Sequence, residues 1–302
     1  MVTIRNTGVF QERLDSSPAG RLLKGAIDMH VHLAPALQER RQTALEVALT
    51  ARENGMKGVV LKNPHYQTAP IASLVSQLVP EVWVIGGICL EYECGGINPH
   101  AVEAAAKLGA RIVWLPTFSS SNSLRLVAQK RVLDMKGEGI SLLDERGRLL
   151  PEAVEVLEVV RDYDLALATG HISRREILTV TEKAKQIGIT KMLVTHCGSD
   201  FLSETILSLE EKRMLVGEGV FMEYSVWQIL PQCGGANPAD IAAAIRSEGA
   251  EHCVMSTDCG GLERSNTAEG MWTFIAAMLR CGLTQEEITL MVKRNPARLL
   301  GL

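Results

Sequence analysis

Aromatic side chains are scarce in this 302-residue chain, with four Trp, four Tyr and five Phe. Its 46% hydrophobic content therefore rests mostly on Ala, Val, Ile and Leu, the residues of short buried strands and covering helices. Charge of one sign is missing too: 31 basic and 35 acidic residues are mixed along the sequence, for a formal net charge of -4. That leaves no basic stripe to track phosphates and no polybasic patch for a membrane surface, so neither nucleic acid nor a membrane is an expected partner. No segment approaches the roughly 18 apolar residues that cross a bilayer, and the first 25 residues lack the apolar core of a signal peptide. A cytoplasmic protein is expected.

The seven cysteines, Cys89, Cys94, Cys197, Cys233, Cys253, Cys259 and Cys281, are odd in number and contain no C-x-x-C pair. This argues against a disulfide framework and a structural zinc knuckle, and reduced thiols are expected. Also absent are a G-x-S-x-G elbow, a phosphate-cradling G-x-x-x-x-G-K-[ST] loop and an H-E-x-x-H pair, which removes the nucleophilic and mononucleotide schemes that depend on them.

What the sequence does have is alternation. Short apolar runs begin at positions 26, 57, 82, 111, 165, 191, 219 and 252, and nearly every one precedes a segment with helical periodicity. Helix starts are marked by Asn98-Pro99, Asn237-Pro238 and Pro151, and by the pairs Ser173 with Glu176 and Thr284 with Glu287 at capping-box spacing. About eight strand-helix units predict a parallel sheet closed into a (β/α)8 TIM barrel, with an open doubly wound sheet as the alternative. One domain over 1–302 is expected, with an N-terminal extension over 1–25 and an insertion over 118–150 between the fourth and fifth strands. Within that insertion a polar loop and helix should precede a hairpin turning near Glu145-Arg146-Gly147, and Ser119 to Ser123 are placed to overhang the site as a lid.

The sharpest chemical signal is Asp28-Met29-His30-Val31-His32 at the end of the first strand. A period of two puts Asp28, His30 and His32 on one face and points Met29 and Val31 away. Three further strands end on His171, His196 and Asp258. In a closed barrel these ends meet on the C-terminal face, where active sites lie, so a divalent metal is expected there. His100 and His252 begin elements instead and serve as structural controls, whereas His65 follows the second strand on the correct side for substrate contact. Glu91, Tyr92 and Glu93 follow the third strand and are candidate substrate contacts or ligands; Glu223 and Tyr224, ending the seventh, are candidate partners for a ligand imidazole or the backbone, or substrate contacts.

This order of H-x-H, His, His and Asp resembles the amidohydrolase superfamily, in its compact single-domain branch. The closing stretch, with an Asn295-Pro296-Ala297 turn leading to a last helix that ends in Gly301-Leu302, is similar to the C-terminus of dihydroorotase- and hydantoinase-like members. The resemblance implies that His30 and His32 ligate a buried metal. His171 and His196 would hold a second metal or assist the first, and Asp258 would contact metal and shuttle the proton as hydroxide attacks a small amide or cyclic amide. His196 and Asp258 are thus the expected catalytic pair. The fourth strand ends without the usual bridging Lys or Glu, so a carbamylated Lys62 is a candidate bridge; a cationic Lys62 holding a substrate carboxylate, or a structural lysine, are the alternatives. Zinc is the expected metal, one or two per chain, with Mn, Fe or Ni as alternatives. A mononuclear decarboxylase or carbon-carbon bond hydrolase is the competing activity, and a non-catalytic metal-binding protein a remote one. The expected partner is a small-molecule substrate, with homo-oligomers common on such barrels.

Overall fold

The structure, a computed structural model, describes residues 16–130, 138–197, 207–231, 235–262 and 265–302. Eight parallel strands pair in sequence order: β1 (Ile27–His32), β2 (Gly58–Lys62), β3 (Trp83–Cys89), β4 (Ile112–Trp114), β5 (Ala166–Ala168), β6 (Met192–Val194), β7 (Phe221–Ser225) and β8 (Cys253–Ser256). Each starts inside one of the eight apolar runs. The ring closes where β8 meets β1: Asp258 N–H donates to His30 O (2.9 Å) and His32 N–H donates to Cys259 O (2.8 Å). This is a (β/α)8 barrel, and closure leaves no exposed strand edge.

The expected helix starts are present. Asn98 and Asn237 cap helices that open on Pro99 and Pro238, Pro151 opens a third, and the boxes at Ser173 and Thr284 are reciprocal. Thr43 with Glu46 and Ser208 with Glu211 make two more. The barrel interior holds Ile27, Met29, Ile112, Trp114 and Phe221, closed below by Leu299 and Leu300, while a larger apolar layer packs between strands and helices.

Three local expectations are corrected. First, β1 does not alternate cleanly, because its register advances from Asp28↔Val59 to Val31↔Leu61, one extra residue in β1. That bulge breaks the period of two. Met29 therefore joins the interior cluster, while Asp28 turns toward the helix Thr267–Arg280 and accepts from Thr267 Oγ1 (2.6 Å). Second, Asn295-Pro296-Ala297 is no turn: it opens the helix Asn295–Leu300, which follows a π-helical stretch, Leu290–Arg294, without a break. Asn295 Nδ2 donates to Ala250 O (2.8 Å) and Cys253 O (2.6 Å), tying this helix to the start of β8. Third, the start of the insertion is not a simple overhang. Ser121–Lys130 is helical, the hairpin pairs Leu143 with Leu149 about Gly147, and the helix start is bonded down to the end of β5. The rest of the predicted polar helix, over 131–137, lies outside the described residues, as do 1–15 of the N-terminal extension and Cys233.

Asp28 accepts from Thr257 N–H (3.0 Å), Thr257 Oγ1 (2.6 Å) and His30 N–H (3.2 Å) as well as from Thr267. Burial raises its carboxyl to about 6 even though all these donors pull it down. The residue therefore clamps β1, β8 and the last long helix at one point. Asp28→Ala should cost about 2–4 kcal/mol, since it strands several buried donors at once. Urea unfolding of the two proteins measures this, and a loss below about 0.5 kcal/mol, typical of a surface change, would contradict the clamp.

Candidate metal centre

The bulge that turns Asp28 outward brings His30 into the barrel mouth. Its Nδ1 lies 3.1 Å from Glu223 Oε1 on β7, and Ser256 Oγ donates to the same oxygen (2.7 Å). A carboxylate accepts there, so Nδ1 carries the proton and Nε2 presents its lone pair, a tautomer assigned from the network. Around Nε2 stand Lys62 Nζ at 3.1 Å and Asp258 Oδ1 at 3.3 Å, and His32 Nε2 is 3.1 Å from that same oxygen. His196 Nε2 lies 3.9 Å from the other oxygen, Oδ2. The His30 and His196 rings are 5.1 Å apart, and His196 and His171 5.3 Å. The structure thus gathers His30, His32, Lys62, His171, His196 and Asp258, from five strands, in one buried cluster.

Among the described residues, two groupings of three have ligand atoms within 4.8 Å of one another: His30, His32 and Asp258, and His30, His196 and Glu223. The first is the better cradle, because Glu223 Oε1 already faces the proton-bearing nitrogen of His30 and only its Oε2 is left without a partner. Glu223 is the carboxylate that orients a ligand imidazole and strengthens its other nitrogen as a donor.

Electrostatics fit a cation in this space. Burial lowers His32 and His171 well below the usual imidazole range and takes His196 down to about 4, so all three are neutral lone-pair donors at pH 7. Burial pushes Glu223 up, but its close contact with His30, with His196 and the Ser256 hydrogen bond adding to it, outweighs that and holds the carboxyl at about 2. His171 Nε2 is buried without a hydrogen-bond partner while its Nδ1 is 3.3 Å from Ser123 Oγ. An orphaned imidazole nitrogen beside lone pairs and a carboxylate oxygen is costly unless a cation completes it. The backbone adds strain: His196 and Asp258 have φ of 54° and 53°, a left-handed conformation that costs non-glycine residues about 1–2 kcal/mol. Strain of this kind concentrates at functional sites.

Braces around the ligands were hidden from sequence. Ser120 Oγ and Asn122 Nδ2 both donate to His171 O (2.9 and 3.1 Å), so the insertion holds His171 by ring and backbone together. Ser225 Oγ is 3.4 Å from His196 Nδ1. Serines are too common for the sequence to single these out. Among the third-strand candidates, Glu91 is buried and engaged: Oε1 accepts from Thr117 N–H (2.6 Å) and Thr117 Oγ1, and Oε2 from Ser119 N–H (2.6 Å). Its carboxylate thereby shapes the loop after β4. Tyr92 is exposed, and His65 sits in the β2 loop, where its Nδ1 accepts from Leu37 N–H (3.4 Å). Tyr224 faces away from the mouth and donates to Glu248 (2.7 Å).

Comparison with known proteins agrees with this architecture. The family described as a family of unknown function, DUF6282, matches residues 25–223. No curated protein matches in sequence. Among solved structures, the chain is similar to an amidohydrolase from Pseudomonas aeruginosa (13% identity, 94% of this chain and 98% of that one, TM-score 0.62). It is also similar to a probable dipeptidase from the same organism (10%, 96% and 98%, 0.66) and to a 2,6-dihydroxybenzoate decarboxylase from Rhizobium (12%, 92% and 99%, 0.55). At these identities the likeness is one of fold.

Two outcomes follow for the metal-free protein and its ligands. The unfolded chain protonates His196 below its ordinary value of 6.5, whereas the folded chain refuses the proton until about 4. Stability from this group is therefore present above 6.5 and lost as pH falls, by about 2 kcal/mol at pH 5. His32 and His171 act in the same direction. Asp28 opposes them between about 6 and 3.8, where the folded state binds the extra proton. Three imidazoles outweigh one carboxyl, so urea midpoints should fall from pH 7 to pH 5; a rise would show that the imidazoles are not held neutral. Glu223→Gln should weaken divalent-metal affinity about 10- to 100-fold, read by competition with a chromophoric chelator, since it removes the charge behind His30.

Proposed function

From a chain that belongs to the DUF6282 family and carries the amidohydrolase fold, we propose a metal-dependent hydrolase that cleaves a small amide or cyclic amide at its carbonyl. The observation that carries this reading is the buried convergence of His30, His32 and Asp258 at the mouth of the barrel, with His171 and His196 beside them. A divalent cation in that cradle, zinc being the first choice for such a nitrogen-rich set, supplies carbonyl polarisation and a water acidified toward neutrality.

The chain's own residues do the rest. Asp258 Oδ1 lies between the two β1 imidazoles and Oδ2 faces His196, so this carboxylate is placed to take a proton from the attacking water and return it to the leaving nitrogen. His196 is neutral, so it would offer either an N–H to the reacting carbonyl oxygen or its lone pair to the cation. Phe118, edge-on to His171 at 5.8 Å, and Trp227, 6.2 Å from His196, exclude water from that side. His65, from the β2 loop, is the proposed contact to the remainder of the substrate.

Lys62 decides how many cations the cradle holds. It is buried, packs over Trp114 at 5.5 Å, and has no carboxylate partner among the described residues. A plain ammonium 3.1 Å from His30 Nε2 would repel a cation there, so we assign it as a carbamate that offers two oxygens. The competing reading, a mononuclear decarboxylase or carbon-carbon bond hydrolase, is favoured by one observation: β4 ends on Trp114 and adds no ligand.

Metal content per chain, with bicarbonate supplied during expression, separates the two. The carbamate reading expects near two metals in wild type, near one in Lys62→Ala and little in His30→Ala or Asp258→Ala. One metal, unchanged in Lys62→Ala, would remove the bridge and favour the mononuclear chemistry. Against a panel of cyclic amides, Asp258→Asn should lower kcat by about 10²- to 10⁴-fold. A wild type that releases carbon dioxide from aromatic acids and opens no amide would overturn the hydrolase reading.

A further inference from the structure

Beside the metal centre, and separate from it, lies a cavity of about 320 Å³ between the start of the helix Ser121–Lys130, the insertion hairpin and the start of the helix Arg174–Gln186. Its walls include Asn122, Arg125, Ser141, Asp144, Arg175 and Glu176. Two arginines and two carboxylates line it, and both carboxylates are already engaged. Asp144 is consumed by Arg148, whose Nε and Nη2 donate to Oδ2 at 2.9 and 2.8 Å. Glu176 is consumed by four donors: Ser173 N–H and Oγ on Oε2 (2.8 and 2.6 Å), and Leu142 N–H and Ser141 Oγ on Oε1 (2.8 and 3.0 Å). The arginines are not so occupied. Among the described residues, the Arg125 guanidinium donates only to the neutral Asn122 Oδ1 (3.2 Å), and the Arg175 guanidinium, laid against Gly147, has no ion pair or hydrogen bond.

We infer that this cavity is a binding pocket for a small dianion, a phosphate ester or an organic acid with two carboxylates. Two guanidiniums present planar donor forks to phosphate or carboxylate oxygens, and the Ser121 hydroxyl supplies a neutral donor beside them. The volume accommodates a molecule of metabolite size rather than a bare ion. Asn122 is the link inward: its Oδ1 receives Arg125 and its Nδ2 donates to His171 O (3.1 Å). An anion that draws Arg125 into the pocket therefore pulls on the residue that holds a ligand histidine. The pocket stands whether or not the proposed reaction is correct.

Calorimetric titration of the purified full chain with inorganic phosphate, at constant ionic strength, tests this. Phosphate should bind wild type, bind Arg175→Gln at least about tenfold more weakly and Arg125→Gln/Arg175→Gln more weakly still. It should bind Arg175→Lys more weakly than wild type but more tightly than Arg175→Gln, because the charge is retained without the planar fork. His30→Ala, with its metal cradle broken, should bind phosphate as wild type does, and amide NMR shifts on adding phosphate should concentrate at Asn122, Ser141, Arg174 and Arg175. No phosphate binding would overturn the proposal, as would binding that survives in the double arginine variant but is lost in His30→Ala. Shifts confined to His32, His196 and Asp258 would likewise assign the anion to the metal centre instead.

Discussion

The hydrogen bond from Asp258 N–H to His30 O does two jobs at one place, because it closes the barrel and sets the carboxylate beside the imidazoles. A ring of parallel strands has one seam where chain order jumps from last to first, and here that seam runs through the metal cradle. Asp28 secures it from the outer side through Thr257 and Thr267. Fold closure and ligand spacing are consequently one constraint: whatever loosens the seam moves Asp258 relative to His30 and His32. The left-handed backbone at Asp258 persists because the surrounding bonds over-determine it.

Burial then sets the chemistry. Imidazoles in water hover near neutrality at pH 7, but the rings in this cluster are desolvated, and neutral nitrogen is what a divalent cation needs. Glu223 is driven firmly to its charged form, and it stands behind His30 rather than in the cradle. The division between ligands that stay neutral and a charged group that orients them follows from where each strand ends.

Most of the fold was legible in the sequence, since eight apolar runs at regular spacing with capped helices leave few architectures besides a barrel. The ligand-type residues were legible for a related reason: a strand end is a fixed address, and His30, His32, His171, His196 and Asp258 all occupy one. The bulge in β1 was not, because an inserted residue leaves no mark in composition and inverts the expected facing of Asp28 and Met29. Ser123, Ser225 and Asn122 were also invisible, being common polar residues whose meaning depends on a partner far away in the chain. Glu91 illustrates the opposite difficulty. Its position after β3 suggests a site, but position cannot tell whether a carboxylate faces substrate or the N–H groups of a neighbouring loop.

β8 is only four residues long, yet it is fastened at both ends: Asn295 grips the carbonyls of Ala250 and Cys253 below, and the seam to β1 holds Asp258 above. A short rod pinned twice transmits displacement along its length. The last helix, on the face of the barrel opposite the metal cradle, is therefore mechanically part of that cradle. A bulky fusion placed against Leu299 and Leu300 acts on metal retention at the far mouth through a strand that it never touches.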